Sequence, residues 1–457
     1  MAKRRPTASS TRIPSGITSL PMPSPGMTAM RYCFTCVLLE ERWRSRGRRR
    51  NLLRETEKAT KRRGHAPSVP NAGPLRYLFL WLAGVDLRLT LLALPPILPM
   101  VRADLHLNEK AVAALTGLPV LLLAAAAIPG SMLIARLGAR RALIIGLLAV
   151  AFSSSLRGIG PSTTMLFAMT FFMGVGIAVV QPAVPTLINQ WLSRSVGLAT
   201  AIYTNGLLVG EALSAALTIP LVLPLFGGNW ELSLVWWAVP VILSTGAIAR
   251  WAPPLVDHVA ANGMRSWMPD WHDPSTWVLG MVQGGGSSVY FAANAFIPGY
   301  LHATGHAGLV GPCLTALNVG QLPATVVVAV AARQLIGRRV PLVAAGVLSA
   351  VALAVFLSGS TLGLVIGAAM FGFCAAVILI LTLALPPLLA PTGDVHRLSA
   401  GMFTIGYAYA FVLPMIGGAA WDASGLPVSA FTPVALGALT VVIAGSAHRL
   451  LPRARRL

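Results

Sequence analysis

The stretch LAGVDLRLTLLALPPILPM at residues 82–100 decides the fold. It is long enough to cross a hydrocarbon core about 30 Å thick as a helix. Asp86 and Arg88 lie well inside it, and Pro95, Pro96 and Pro99 are expected to bend its far end. A charged side chain at the centre of a membrane helix costs about 2.5–3.5 kcal/mol on insertion scales. The sequence therefore predicts that Asp86 and Arg88 face protein or water and not lipid.

The same apolar character continues outward from this stretch. Of the 457 residues, 55% are hydrophobic and only 11% are charged, and the mean hydropathy is +0.72. Soluble domains carry about 25% charged residues, so this composition argues against a soluble enzyme or receptor. Long apolar runs alternate with short polar breaks from residue 75 onward, and they lack the strict alternation of barrel strands. We predict an all-α integral membrane protein.

We predict twelve transmembrane helices in this protein. Each apolar run is close to the roughly 20 residues that a tilted membrane helix needs. The predicted spans are 76–100, 111–135, 141–156, 164–188, 199–226, 234–251, 276–300, 310–332, 340–358, 361–389, 399–421 and 429–447.

The longest internal connection, residues 252–275, follows the sixth span and divides the spans into six plus six. Similar basic breaks follow the second and eighth spans, LGARRAL at 137–143 and IGRRVPL at 336–342. Matching breaks at matching positions favour an internal repeat. We therefore predict two pseudo-symmetric six-helix bundles, 75–251 and 276–450, joined by a cytoplasmic central loop.

The net charge of +21 is concentrated at the N-terminus. Residues 1–74 hold 16 of the 35 Lys and Arg residues and only 4 of the 14 acidic ones. We expect this tail to be disordered, or to be a leader upstream of the translated start. Residues 451–457 are predicted to form a basic cytoplasmic C-terminus. A helix on anionic lipid and a nucleic-acid arm are alternatives. The tail carries no nucleic-acid reading motif, so no nucleic-acid partner is predicted.

The basic residues of the loops predict the orientation. Fifteen Lys and Arg residues lie on the side of the tail, and three lie on the other side, namely Arg102, Lys110 and Arg157. Because cytoplasmic loops of membrane proteins are enriched in Lys and Arg, both termini are predicted to be cytoplasmic. The expected location is the inner (plasma) membrane of a bacterial-type cell.

Several stretches of the chain match a known family in order and spacing. The first span, LAGVDLRLTLLALPPILPM, runs into VRADLHL at 101–107. Further matches are GVGIAVVQPAVPTLI at 174–188, GLATAIYTNGLLVGEALSAALTIPL at 197–221, NWELSLVWWAVP at 229–240 and SAGMFTIGYAYAFVLPMIGGAAWDASG at 399–425. Together they resemble the major facilitator superfamily, and within it the branch of cyanate and nitroimidazole transporters.

This resemblance implies a monomeric secondary transporter of a small polar or anionic solute, working by alternating access and without a cofactor. It implies a symporter if protons drive uptake, and a drug or metabolite exporter of the same superfamily is an alternative. Asp86 stands where the family usually has Asn. The family's gating loop corresponds to SMLIARLGARR at 131–141, in which Ser131 and Ala135 replace a Gly and an Asp. The basic and glycine positions of the loop remain as gating candidates: Arg136, Gly138, Arg140 and Arg141.

Polar side chains inside the spans predict the substrate site. Arg88 offers a planar fork of donors that suits a small anion, with Asp86 as a weaker candidate. Glu211 is a candidate for proton coupling; alternatively, it forms a structural pair with Arg88. Gln283, Ser287, Tyr290 and Asn294 lie on one face of the seventh span at i, i+4, i+7 and i+11. The remaining candidates are Asn318, Gln321, Gln181, Tyr203, Asn205 and Tyr407, any of which can instead bridge helices.

Two other function classes compete with transport. A membrane enzyme would need a cluster of His, Asp or Cys at one membrane face, whereas the histidines here are isolated in the sequence and no HExxH or Walker motif is present. A membrane sensor would have to use the basic tail as a nucleic-acid-binding arm, and the tail carries no recognisable nucleic-acid-binding motif. The sequence therefore predicts no enzyme activity and no metal or other cofactor, and it favours a transporter whose partners are a small solute, the lipid bilayer and, if it is coupled, protons.

Overall fold

The computed structural model describes residues 73–160, 162–253, 266–391 and 393–446, and all regular structure within these ranges is helical. Almost all of the predicted basic tail, 1–74, and all of the predicted basic C-terminus, 451–457, lie outside the described residues. So do His258 and Arg265 of the central loop.

The first half of the described chain carries eight main helices. A π-helical turn, Thr218–Val222, and a short turn, Leu223–Leu225, extend the seventh of them. The bounds are α1 Pro74–Leu89, α2 Leu94–Asp104, α3 Glu109–Ala125, α4 Ala127–Leu137, α5 Ala139–Arg157, α6 Thr163–Trp191, α7 Val196–Leu217 and α8 Trp230–Trp251.

The second half carries a similar set. Two 3₁₀ turns, Ala307–Leu309 and Pro427–Phe431, precede the helices α10 and α16. The bounds are α9 Pro274–Ala303, α10 Val310–Val319, α11 Gln321–Leu335, α12 Arg339–Leu357, α13 Thr361–Leu383, α14 Pro386–Leu389, α15 Val395–Ser424 and α16 Thr432–Ser446.

Within the described residues, ten helical segments are long and apolar enough to cross a membrane. The number rises to eleven if the bent pair Gly117–Ala125 and Ala127–Leu137, with 49° between its parts, counts as one span. The remaining predicted span coincides with α9, which has 30 residues and no Asp, Glu, Lys or Arg. Its glycines and polar side chains lower its hydropathy, so length and composition do not identify it as a span. Twelve spans stay a prediction.

Prolines explain where the long helices break. Pro95 and Pro96 have no N–H with which to bond the carbonyl oxygens of Leu91 and Leu92, so the first span divides into α1 and α2. Pro129 has the same effect between α3 and α4, where the bend is 49°. The first break begins directly after the turn that carries Arg88, so it lies beside a predicted site residue.

Arg157 differs from its prediction as a loop residue. It is the last residue of α5, and its side chain is buried at 1% exposure. Its Nη2 donates to the carbonyl oxygen of Thr90 at 2.7 Å, which supplies a donor to the break of the first span. The sequence could not reveal this burial, because a single Arg at the end of an apolar run is also typical of an interfacial residue.

Close backbone contact between α1 and α7 positions the centre of the first half. A side chain at Gly84 would collide with the carbonyl oxygen of Tyr203, and side chains at Gly206 and Gly210 would collide with those of Trp81 and Val85. Small residues allow such close approach of membrane helices. The contact places the middle of the first span directly against the middle of the fifth.

The helix contacts of the first half recur in the second half. The helices α1 and α7, α5 and α6, and α5 and α8 pack together. Their counterparts six spans later, α9 and α15, α12 and α13, and α12 and α16, pack together as well. This correspondence is what an internal repeat requires, while the predicted bundle boundaries stay a prediction.

Hydrogen bonds between the two halves lie at the middle of the helices and between the middle and one end. We call this the basic end, since Arg136, Arg194 and Arg338 lie there. Thr404 Oγ1 donates to the Ala124 carbonyl oxygen at 3.0 Å near the middle. Nearer the basic end, Asn205 Nδ2 donates to Thr325 Oγ1 at 3.2 Å and Asn189 Nδ2 donates to the Pro387 carbonyl oxygen at 2.6 Å. Ser131 Oγ donates at 2.8 Å to the carbonyl oxygen of Trp267 in the central connection.

Candidate substrate site

A cavity of about 510 Å³, its open mouth included, lies between the two halves near the middle of the helices. Its walls divide by chemistry. The polar lining residues are Arg88, Glu211, Gln283, Ser287, Tyr290, Gln321 and Tyr407. The apolar lining residues are Leu207, Leu208, Gly286, Phe291, Ala375 and Leu379.

The charged groups of the cavity form a loose ion pair. Arg88 Nη1 lies 4.0 Å from Glu211 Oε2, and the two side chains are 17% and 16% exposed. Both residues belong to the first half, on α1 and α7, where the glycine contact of these helices brings them together. The pair thus faces the cavity and not lipid, as predicted for Arg88. The separation is at the limit for an ion pair, so the Arg88 fork retains donors that a ligand can use.

Tyr290 connects this ion pair to the second half. Its hydroxyl donates to the Glu211 carboxylate, and it also lies 2.9 Å from Asn318 Oδ1. Asn318 Nδ2 donates to the Leu314 carbonyl oxygen at 2.9 Å, which turns Oδ1 toward Tyr290. A phenol has one proton, so Tyr290 donates either to Glu211 or to Asn318. The contact with Glu211 crosses from one half to the other.

The other polar residues of the cavity belong to the second half. Gln283 Nε2 donates to Ser287 Oγ at 3.2 Å on the same face of α9, as the predicted stripe requires. The lining residue Tyr407 accepts from Gln181 Nε2 at 3.0 Å, and this hydrogen bond joins the two halves. The Oε1 atoms of Gln181 and Gln283 are buried without a hydrogen-bond partner among the described residues.

Asp86 and Tyr203 do not line the cavity, although both were predicted as substrate contacts. Asp86 is 1% exposed and accepts from Ser244 Oγ on α8, inside the first half. It lies two residues from Arg88 on a helix, so the two side chains point in different directions. Tyr203 is 3% exposed and packs at the contact between α1 and α7.

Four further predicted residues lie beside the cavity lining. Asn205 accepts from Trp81 Nε1 at 3.1 Å and donates to Thr325, so it bridges the halves nearer the basic end. Asn294 donates back to the Tyr290 carbonyl oxygen of its own helix at 3.0 Å. Gln181 and Asn318 bond the lining residues Tyr407 and Tyr290.

The apolar wall was missing from the sequence prediction. Leu207 and Leu208 precede Glu211 by four and three positions, the spacing that puts helical residues on one face, so this part was within reach of the sequence. Phe291 follows Tyr290 directly. Ala375 and Leu379 lie on α13, whose sequence is apolar throughout, and nothing distinguishes its cavity face from its other faces.

The predicted gating loop has a defined turn. Gly138 has φ 83°, a left-handed conformation that favours glycine, and it separates α4 from α5. Arg140 Nη2 donates to the Ala249 carbonyl oxygen of α8 at 2.8 Å, within the first half. Arg136 and Arg141 are exposed, and none of the three arginines forms an ion pair with a described residue. Ser131 of this segment instead donates to the Trp267 carbonyl oxygen in the central connection. The gating role stays a prediction.

Comparison with known families agrees with this architecture. The family model described as "Major Facilitator Superfamily" matches residues 80–310, about half of the chain. The chain belongs to the major facilitator superfamily. This is a family of multi-pass membrane transporters and not of enzymes, in agreement with the sequence prediction. Within the described ranges, no group of three His, Cys, Asp or Glu residues could hold a metal ion.

Two relatives from Escherichia coli (strain K12) have names that describe their solutes. The cyanate transport protein CynX is 28% identical over 247 residues, which cover 53% of this chain and 63% of that protein. The 2-nitroimidazole transporter is 26% identical over 220 residues, which cover 48% of this chain and 56% of that protein. The match therefore spans less than two thirds of either relative.

Solved structures of the superfamily share the fold. The transporter FucP in the outward conformation gives a TM-score of 0.65 at 14% identity, covering 82% of this chain and 99% of that one. The human organic anion transporter MFSD10 gives a TM-score of 0.65 at 15% identity, covering 80% of this chain and 98% of that one. At these identities the likeness concerns the fold alone.

Proposed function

We propose that this protein is a secondary transporter that moves a small anion across the membrane together with a proton. The observation that carries the proposal is the Arg88–Glu211 pair, loose at 4.0 Å and reachable from a cavity between the halves. A charged pair far inside a membrane protein is costly, and such groups commonly mark solute or proton pathways. The names of the two bacterial relatives support a small polar or anionic solute.

In this proposal the anion and Glu211 exchange places on Arg88. The guanidinium fork binds the incoming anion by charge-assisted hydrogen bonds. A carboxylate that loses its ion partner in a poorly hydrated site is stabilised by taking up a proton. Glu211 then enters the transport cycle protonated, and Tyr290 donates to Asn318 instead of to Glu211. One anion and one proton would travel together, as in a symporter.

The inter-half hydrogen bonds support an alternating-access cycle. They lie between the middle of the helices and the basic end, so a rocking movement that opens the basic end must break the Asn205–Thr325 and Asn189–Pro387 contacts. The Arg88–Glu211 pair lies within one half and survives that movement. We place the basic end in the cytoplasm, from the excess of loop arginines, with the cavity facing the opposite side. We propose a monomer in the inner membrane.

Export is the second candidate, and the same machine performs it when the gradients are reversed. The 2-nitroimidazole transporter supports a solute of that kind, which differs from cyanate in carrying a ring. Both candidates use the same cavity, so they are separated by direction and solute and not by residues.

Transport into liposomes tests the proposal. The purified protein is reconstituted, an inward proton gradient is imposed, and a panel of small radiolabelled anions is screened for accumulation. We expect accumulation that a proton uncoupler abolishes and that Arg88→Gln loses. The matched control is Arg250→Gln, an exposed arginine in the last turn of α8, which should retain accumulation. Equal loss in both variants, or none in Arg88→Gln, would contradict the proposal.

A further inference from the structure

The cavity has an apolar wall that the proposed anion chemistry does not use. Leu207, Leu208, Phe291, Ala375 and Leu379 line it together with the polar groups. Leu207, Leu208 and Ala375 are buried at 5–6% exposure, and they face the cavity with hydrocarbon only. A cavity in a small-solute site usually combines such a wall with a few polar groups that orient the ligand. The wall therefore carries information about the body of the solute and not about its charge.

The apolar wall is a fixed part of the packing. Ala375 and Leu379 are four residues apart on α13, so they present one face to the cavity. Gly286 of α9 lets α13 pack closely against it, because a Cβ atom at this position would lie only 2.5 Å from Ile378 Cγ2. Phe291 packs edge-on against Tyr290, with ring centroids 5.4 Å apart. The wall thus meets the polar side of the cavity at Tyr290, next to Glu211 and the anion position.

The chemistry of the cavity lining argues against an inorganic anion as the best solute. Five apolar side chains line the cavity beside its polar groups, and a small inorganic anion on Arg88 has no apolar part to cover them. A triatomic anion on Arg88 would leave the wall in contact with water, and apolar surface is unfavourable in water. A solute with an apolar body would cover the same wall and displace that water.

We propose that the preferred solute is an organic monoanion, with its acidic group on Arg88 and a flat or compact apolar body against Leu207, Phe291 and Leu379. This proposal rests on the proposed function, since it uses the same anion position. It assigns the apolar residues the role of selecting the solute by its body. Ala375 is then the residue whose small side chain leaves room for that body.

A pair of carboxylates that differ only in their body provides the test. Uptake of formate, benzoate, cyanate and nitrate is measured in liposomes containing the wild-type protein. We expect benzoate to half-saturate transport at a concentration at least about tenfold lower than formate, cyanate or nitrate do, a free-energy difference of about 1.4 kcal/mol. Equal half-saturation by benzoate and formate overturns the proposal, and so does transport of none of the four anions.

A variant that fills the apolar side sharpens the test. Ala375→Leu should raise half-saturation by benzoate at least about tenfold and leave formate within about threefold. The matched control is Ile366→Phe on the same helix, an exposed side chain away from the cavity, which should change neither. If Ala375→Leu fails to fold, Leu379→Ala removes part of the apolar wall instead. This variant should raise the half-saturation concentration for benzoate and leave that for formate unchanged. Equal effects on both carboxylates overturn the proposal.

The outcomes separate this inference from the proposed function. If Arg88→Gln loses formate and cyanate transport but wild type shows no preference for benzoate, the anion site stands and the inference about the body is wrong. If Arg88→Gln transports all four anions as wild type does, the proposed function itself fails.

Discussion

The two halves of the molecule contribute different chemistry to the cavity between them. The first half supplies the ionisable pair Arg88 and Glu211, on two helices held together by glycine contacts. The second half supplies side chains that are uncharged at neutral pH, with Gln283, Ser287 and Tyr290 on one face of α9. The ion pair is internal to one half, whereas the Tyr290–Glu211 hydrogen bond crosses between the halves. In the proposed function, the ion pair recognises the anion, and the contacts between the halves change as the protein moves.

A second comparison within the first half shows why position decides the role of a carboxyl group. Asp86 lies on the same helix as Arg88 but bonds Ser244 inside the bundle, at 1% exposure. Glu211 lies on the cavity wall at 16% exposure. Both are acidic residues in apolar spans, yet of the two only Glu211 lines the cavity, where the proposed solute would bind.

Removal of the charge that the first half supplies should have the largest effect. Arg88→Gln removes the guanidinium fork but keeps a polar side chain of similar size. We expect anion affinity to fall by about 1–3 kcal/mol, which is 5- to 150-fold. The measurement is the half-saturation concentration for uptake. Arg88→Lys keeps the charge without the planar fork and should fall between wild type and Arg88→Gln. Unchanged affinity in Arg88→Gln would remove the anion site.

Removal of the proton acceptor should separate coupling from binding. Glu211→Gln keeps a hydrogen-bonding shape but cannot titrate. We expect accumulation driven by a pH gradient to disappear while exchange of labelled for unlabelled solute without a gradient persists. The matched control is Asp86→Asn, the carboxyl group away from the cavity, which should retain gradient-driven accumulation. Full accumulation in Glu211→Gln would show that the proton is carried elsewhere.

The hydrogen bonds between the halves should control which end of the cavity is open. Asn205→Ala removes the bridge to Thr325, a loss of about 0.5–1.5 kcal/mol that shifts a two-state equilibrium roughly 2- to 12-fold. Ala332, which packs near Gly197 at the basic end, provides the reporter. In a protein with its native cysteines replaced, Ala332→Cys should be alkylated faster from the basic end in the Asn205→Ala background. A slower or equal rate would show that the Asn205–Thr325 hydrogen bond does not keep the basic end closed.

The smallest effect is expected at His272, which lies in the central connection and in neither half. His272 is exposed in the central connection, and its described contacts include only the bond from its backbone N–H to Asp270 Oδ1 at 3.0 Å. His272→Ala should leave transport within about threefold, under roughly 0.7 kcal/mol. Loss of transport in this variant would revive an enzyme or metal role for the loop.

Much of this architecture follows from the sequence, because the physics involved is local. Apolar run length identifies most of the spans, and Pro95 and Pro96 indicate the bend in the first span. The stripe of Gln283, Ser287, Tyr290 and Asn294 was predicted from helical spacing alone, and all of its members except Asn294 line the cavity. These features need no knowledge of which helices touch.

The remaining features depend on which helices touch, and the sequence does not state that. Asn205 and Tyr203 have the polar character of site residues, but Asn205 accepts from Trp81 Nε1 and Tyr203 is buried where α7 packs on the first span. Arg157 reads as a loop residue until the break at Thr90 is known. Leu379 is one leucine among many until α13 is placed beside the cavity. A polar residue type predicts that a partner exists, and packing decides whether the partner is solute or protein.

If the anion and Glu211 compete for Arg88, binding of the anion must be accompanied by uptake of a proton. Calorimetric titration of the purified protein with a bound anion of the screen, in buffers that differ in ionisation enthalpy, gives the number of protons taken up per anion. We expect about one proton per anion in wild type and none in Glu211→Gln, with binding retained in both. Equal proton uptake by the two proteins would contradict it.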